Sequence, residues 1–311
     1  MHNVAHNKIG LEGFFKIEVI QPDGSRKMLA DWFPNLITDI GLNRWGSGAI
    51  VTACGVGTGT SQPLVTDTGL TTPLAFTSTA DSVQPTTAGG SPYAVTQSRT
   101  FTFAQGAVVG NISEVSVGWA AANGSAWSHA RIKDGGGVDT TITVTAIEQL
   151  SVTYLLKGNI PSTDVTANVT IGGVATTVTI RAANATSASN WFTWNGGGQT
   201  AFDRRFDVSG LATPVIVYDG AIGAVTGVPS GASQSIPVAA RTINAYVSNS
   251  LYTESVVNFS ISQANFAGGL DSILMQSLGC TSWQIGFVPA VAKDATKTFS
   301  MTFRTSWARG A

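Results

Sequence analysis

Acid–base catalysis and metal binding both need His, Cys, Asp, Glu or Lys side chains to converge on one point. This 311-residue chain is short of them, with three histidines, two cysteines and 18 carboxylates. His2 and His6 sit in an amino-terminal tail, and His129 stands by itself in an alternating run, where it reads as an ordinary strand residue. Asp203 and Asp207 flank Arg204 and Arg205, the pattern of a solvated turn or an ion-pair cluster. Two carboxylates can meet from distant positions to form a glycosidase pair, but no motif here points to one. Asp134-Gly135-Gly136 and Asp219-Gly220 are isolated turn residues and lack the spaced oxygen ligands of a calcium loop. Gly55-Val-Gly57-Thr-Gly59 has the glycine spacing of a nucleotide loop, without the following helix or the closing Lys-Ser/Thr, so it reads as a surface loop. Cys54 and Cys280 cannot form a structural zinc site unaided. They read as buried thiols, with a bridge between them as the alternative. The expectation is a non-enzymatic protein with no cofactor and no metal.

The aromatics offer binding chemistry instead. Trp191, Phe192 and Trp194 stand just before a triple glycine, and indole faces on a β scaffold can stack on sugar rings. Neighbouring strand positions alternate faces, so Trp191 and Trp194 cannot both point the same way and at least one belongs to a core or an interface. Glycan contact through this pair is one reading; subunit contact or core packing is the other.

The elements that must carry these residues are strands. Gly10 to Ile20 alternates with period two, Gln21-Pro-Asp-Gly-Ser25 is a turn, and Met28 to Phe33 pairs back as a hairpin ended by Pro34. Asn35 is the expected N-cap of a short helix over Leu36–Trp45, with Gly46 as its stop. Residues 49–92, rich in Gly, Thr, Ser and Pro, predict a long surface excursion with one or two short strands. Further strands are expected from Ala94, Asn111, Ala126, Ile142 and Gln149. After a linker over Lys157–Asp164 come a hairpin about Gly172-Gly173 and strands near Val215, Arg241 and Ser255. The result is an all-β chain of two antiparallel β-sandwich-like domains, 1–158 and 159–311, with one short helix near the N-terminus. The two halves also end alike, Trp127 matching Trp283 and Lys133-Asp134 matching Lys293-Asp294, which predicts related folds.

Charged residues make up only 11% of the chain, against roughly 25% in an average domain. The net charge of −1 creates no field for nucleic acid or an acidic membrane. No apolar run approaches the ~20 residues that span a bilayer. The amino terminus lacks the basic-then-apolar pattern of a signal peptide, which predicts synthesis and assembly in the cytoplasm. A weakly charged surface is easily desolvated and suits subunit contacts. The hydrophobic hairpin–helix segment, through Phe14, Phe15, Trp32, Phe33, Leu36 and Trp45, and the long Gly/Thr loop are the expected contact regions.

The order of the "PDGS" hairpin, "WFPNLITDIGLNRWG" and "VGTGTSQPLVTDTGL", followed by "RTFTFAQGAVVGNISEVSVGW" and "LSVTYLLKG", resembles a family of tailed-bacteriophage virion proteins described as tail, tail-fibre or structural proteins. The resemblance spans residues 10–157. It implies a virion component in the tail, neck, collar or fibre base, present in multiple copies as a homo-oligomer and contacting other virion proteins. The alternative is a receptor-binding adhesin recognising a host surface glycan through residues 159–311.

Overall fold

The computed structural model describes residues 4–48, 50–81, 84–87, 89–187, 215–237, 240–278 and 281–310. The chain begins with β1 (Val4–Ile20) and returns as β2 (Arg26–Pro34) through the expected turn. There the Gly24 N–H bonds the Gln21 carbonyl at 2.9 Å, and the Asp23 carboxylate accepts the Ser25 N–H at 2.9 Å. β3 (Leu36–Ile37) and α1 (Asp39–Trp45) follow. The helix starts three residues later than its sequence suggests, because Leu36 and Ile37 are claimed by strand pairing with His129 and Ser128. Thr38 then caps it, its hydroxyl accepting the Gly41 N–H at 2.9 Å and donating to the Ala126 carbonyl at 2.7 Å.

The first half continues with β4 (Ala53–Gly57), β5 (Pro73–Thr77), β6 (Gln84–Thr87), β7 (Ala94–Thr102), β8 (Gly110–Ile112), β9 (Glu114–Gly118), β10 (Ala126–Arg131), β11 (Ile142–Val144) and β12 (Gln149–Asn159). The second half holds β13 (Val165–Ile171), β14 (Val174–Ala183), β15 (Val215–Tyr218), β16 (Ser233–Ile236), β17 (Arg241–Ile243), β18 (Tyr252–Phe259), β19 (Leu270–Leu278), β20 (Thr281–Val291) and β21 (Phe299–Arg309). The expected excursion over 49–92 thus contains three strands. One of them, β4, is wholly buried between β5 and β9, its small residues fitting where the sheets leave least room.

A large sheet runs β17-β18-β21-β1-β12-β7-β6, with β2 pairing the far part of β1 beyond the end of β21. A five-stranded sheet, β3-β10-β9-β4-β5, belongs to the first half, and a six-stranded sheet, β13-β14-β20-β19-β15-β16, to the second. The last five strands of the second repeat the order of the first, position by position and in the same chain sequence. The triplets β6-β7-β12 and β17-β18-β21 of the large sheet match in the same way. Every one of these pairings is antiparallel. Trp127 and Trp283 occupy the corresponding strands β10 and β20 and are both buried. Asp134 and Asp294 each accept an N–H two residues on, from Gly136 at 2.9 Å and Thr296 at 2.8 Å.

The two halves are joined by more than a linker. Residue 158 lies within β12, and β1 pairs antiparallel with β12 on one edge and parallel with β21 on the other, so one sheet serves both halves. Helix α1 fills the join. Trp45 packs 6.2 Å from Trp127 and 5.5 Å from Trp307, ring centre to ring centre, and the Trp307 indole N–H bonds the Leu42 carbonyl at 2.8 Å. One large apolar core spans both halves, with a small separate cluster of Ala183, Tyr218 and Leu274.

Candidate functional site

Read from sequence, His129 stands alone; folded, it does not. β10 places its ring, 1% exposed, between two carboxylates: Nδ1 lies 2.8 Å from Asp67 Oδ2 and Nε2 lies 3.0 Å from Glu114 Oε2. Glu114, the first residue of β9, is fully buried. It also accepts the backbone N–H groups of Gly59 at 3.0 Å, Thr71 at 2.9 Å and Thr72 at 2.7 Å. Those three amides and Asp67 all belong to the loop between β4 and β5, residues 58–72.

The electrostatics follow from the contacts. Burial pushes the Glu114 pKa up, but the hydrogen bonds from His129, Thr72, Thr71 and Gly59 outweigh it and hold the group down at about 2. Burial pushes His129 down, and the hydrogen bonds and charges of Glu114 and Asp67 reverse that, leaving it above its ordinary 6.5. With a carboxylate oxygen at hydrogen-bond distance from each ring nitrogen, the site favours the imidazolium form, which donates through both.

That settles what this group can do chemically. Each ring nitrogen is committed to a carboxylate, so neither offers a free lone pair to a nucleophile's proton in this arrangement. The carboxylates bind opposite sides of the ring and do not converge on one point. Among the described residues, no group of three or more His, Cys, Asp or Glu side chains is placed to hold a metal ion. The triad is an anchor for the 58–72 loop. The sequence did carry a signal for it, in the glycines of the supposed loop motif. A Cβ on Gly57 or Gly59 would come within 2.5 Å of Glu114 Oε1, so the strand end must be bare for the carboxylate to enter.

Above the anchor lies a surface built from both expected contact regions. The Asp39 N–H bonds the Val65 carbonyl at 2.8 Å, tying the start of α1 to the loop. A groove of about 200 Å³ has Pro34, Asn35 and Leu36 on one wall and Gln62 and Pro63 on the other, with His129 in its lining. A second groove, of about 340 Å³, lies across the same 34–36 segment, against Glu12, Phe14 and Arg309. Exposed apolar side chains come from both regions, Met28 and Trp32 (45% exposed) from β2, Leu64 and Val65 from the loop.

The six residues expected at an assembly interface divide sharply. Phe15, Phe33 and Trp45 are buried in the chain's own core, at 0, 2 and 1% exposure, because their strand faces and helix face point inward; they have no surface to offer a partner. Phe14 and Leu36 are half-buried beside the grooves, and Trp32 is out in solvent. Trp191 and Trp194, together with Asp203 and Asp207, lie outside the described residues. Cys54 is a buried free thiol whose pKa burial drives upward, and Cys280 lies outside the described residues. Among the described residues, no helix is long and apolar enough to cross a membrane.

Comparison with known proteins identifies no relative: no family model, no curated protein and no solved structure matches the chain.

Proposed function

We propose that the chain is a non-enzymatic structural subunit of a tailed-phage virion, assembled in multiple copies at the tail, neck, collar or fibre base and contacting neighbouring virion proteins. The observation that carries this reading is the surface at residues 26–45 and 58–72. The Asp39–Val65 hydrogen bond ties the two segments to each other, and the triad ties the 58–72 loop to β9 and β10. Each segment exposes large apolar side chains, Met28 and Trp32 from the first, Leu64 and Val65 from the second. Large apolar side chains held on a rigid frame are what a permanent contact uses. The low content of charged residues, 11%, lowers the cost of covering the rest. Among the described residues, His129, Asp67 and Glu114 are engaged in holding a loop, which favours a scaffold over an enzyme. The order of motifs over residues 10–157 supplies the phage context.

The test is the native mass of the purified full chain by light scattering across a concentration series. A discrete multimer is the expected result, dissociating when Trp32→Ala removes an exposed anchor. A monomer at every concentration contradicts self-assembly.

A further inference from the structure

Strand edges left open are templates for another chain, and proteins normally blunt them with short strands, proline, charge or bulges. Among the described residues, nearly every edge of this molecule is treated in that way. β3 has two residues, β17 three and β16 four; β5 begins with Pro73 and β6 contains Pro85. β2 is longer, but its pairing with β1 is interrupted twice by register shifts, and it carries Arg26, Lys27 and Asp31.

β13 is the exception. It runs seven residues in unbroken register with β14, and no described strand pairs with its other side. Residues 165–180 contain no Asp, Glu, Lys or Arg. The two charges that bracket the hairpin, Asp164 and Arg181, are taken by each other in a two-pronged ion pair at 2.8 and 2.6 Å. No side chain here repels a partner.

The backbone fixes which groups are offered. Gly172 and Gly173, at φ +58° and +86°, make a two-residue turn that closes on the pair Ile171 and Val174. Such a turn makes its flanking pair a hydrogen-bonded one, so by alternation Val165, Ala167, Val169 and Ile171 bond inward to β14. Thr166, Asn168 and Thr170 therefore aim their N–H and C=O groups at the open edge. The side chains alternate with the same period: Val169 and Ile171 pack toward the core while Thr166, Asn168 and Thr170 face solvent.

Resting on the assembly reading above, we propose that β13 is a homotypic interface. Two copies join antiparallel along this edge about a two-fold axis through Asn168, so that two six-stranded sheets become one. The strand's own sequence selects the partner, because it is nearly palindromic in character about that axis. Val165 meets Ile171 of the second copy, Thr166 meets Thr170, Ala167 meets Val169, and Asn168 meets Asn168. Val165 and Ile171 are both β-branched and Thr faces Thr, pairings that stabilise antiparallel ladders, while Ala167 leaves room for Val169. The three residues with outward backbone groups, 166, 168 and 170, map onto one another under the same axis, so each opposed pair exchanges both of its N–H···O bonds. An isologous contact of this kind needs no second surface and closes on itself.

The experiment compares the full-length wild type by light scattering with the double variants Thr166→Lys/Thr170→Lys and Thr166→Glu/Thr170→Glu. All four substitutions lie on the solvent face, outside the core, and circular dichroism with thermal melting checks that the fold is kept. In either variant alone, like charges stand opposite each other across the axis, and in a 1:1 mixture Lys stands opposite Glu. Expected are an even-numbered wild-type multimer, half that mass for each variant alone, and recovery of the wild-type mass in the mixture. Unchanged mass in both variants overturns the β13 interface and leaves assembly through another surface standing. Half-mass variants that do not recover on mixing overturn the two-fold register, and a wild type that is monomeric at every concentration overturns both this inference and the assembly reading. Hydrogen exchange on the wild type reads the same edge without substitution. The Thr166, Asn168 and Thr170 amides slow at least tenfold as concentration rises, and fast exchange throughout contradicts the interface.

Discussion

The loop between β4 and β5 (58–72) and the loop between β15 and β16 (219–232) hold corresponding places in the two halves, yet opposite chemistries fasten them. The first is held by charge: buried Glu114 accepts three loop amides and His129, and His129 reaches on to Asp67. The second is held by a neutral amide. Gln284, buried one residue after Trp283, accepts the Gly223 N–H at 2.7 Å and donates to the carbonyls of Ala182, Gly223 and Ala224 at 3.1, 3.2 and 2.9 Å. A repeated strand order therefore sets where a loop must be tied down and leaves the tie to local sequence. An amide satisfies donors and acceptors together at any pH. A carboxylate–imidazolium pair is stronger but depends on protonation and leaves a stranded charge if either partner is lost.

The largest effect is expected from Glu114→Ala. It strands a buried imidazolium and three loop amides, and stability should fall by about 3–5 kcal/mol, read from denaturant unfolding. A loss below about 1 kcal/mol would show that the triad is not the anchor. Gln284→Leu should cost about 2 kcal/mol, since it leaves uncharged groups unpaired, and the loss should be the same at pH 5 and pH 8. A pH-dependent loss there would erase the distinction between the two loops.

The smallest effect is the pH response of the intact chain. The His129 pKa is raised on folding, so its stabilisation is complete below its ordinary 6.5 and is lost as pH rises through the raised value. The Glu114 pKa is lowered on folding, so its contribution is complete above 4.5 and is lost as pH falls toward about 2. The 58–72 loop should therefore be most protected from hydrogen exchange, after correction for intrinsic rates, between pH 4.5 and 6.5, while protection of the 219–232 loop stays level. Parallel profiles for the two loops would contradict the assignment.

What the sequence disclosed and what it withheld divide along the range of the interactions. Local rules were enough for the Asp23-Gly24 turn, the Gly172-Gly173 hairpin and the all-β class, because turn chemistry and period-two alternation act over a few residues. The shared strand pattern about Trp127 and Trp283 was also legible, since repeated strands repeat their alternation. The start of α1 was misplaced because strand pairing of Leu36 and Ile37 overrides a good N-cap at Asn35. The triad was hidden for a similar reason: Asp67, Glu114 and His129 come from a loop and two strands, and only folding brings them together. The parallel pairing of β1 with β21 joins the two ends of the chain, which no local window can contain. Phe15, Phe33 and Trp45 were offered as contact residues because apolar type alone does not separate a core face from an interface.

The central claim, a repeated structural subunit of a phage particle, is tested most directly by counting. Particles purified from the host that produces this chain are dissolved, and its peptides are quantified by mass spectrometry against those of the most abundant capsid protein. Our account predicts a fixed ratio corresponding to several copies per particle, unchanged by further purification. Absence of the chain from intact particles, or a trace that washes away, would contradict it.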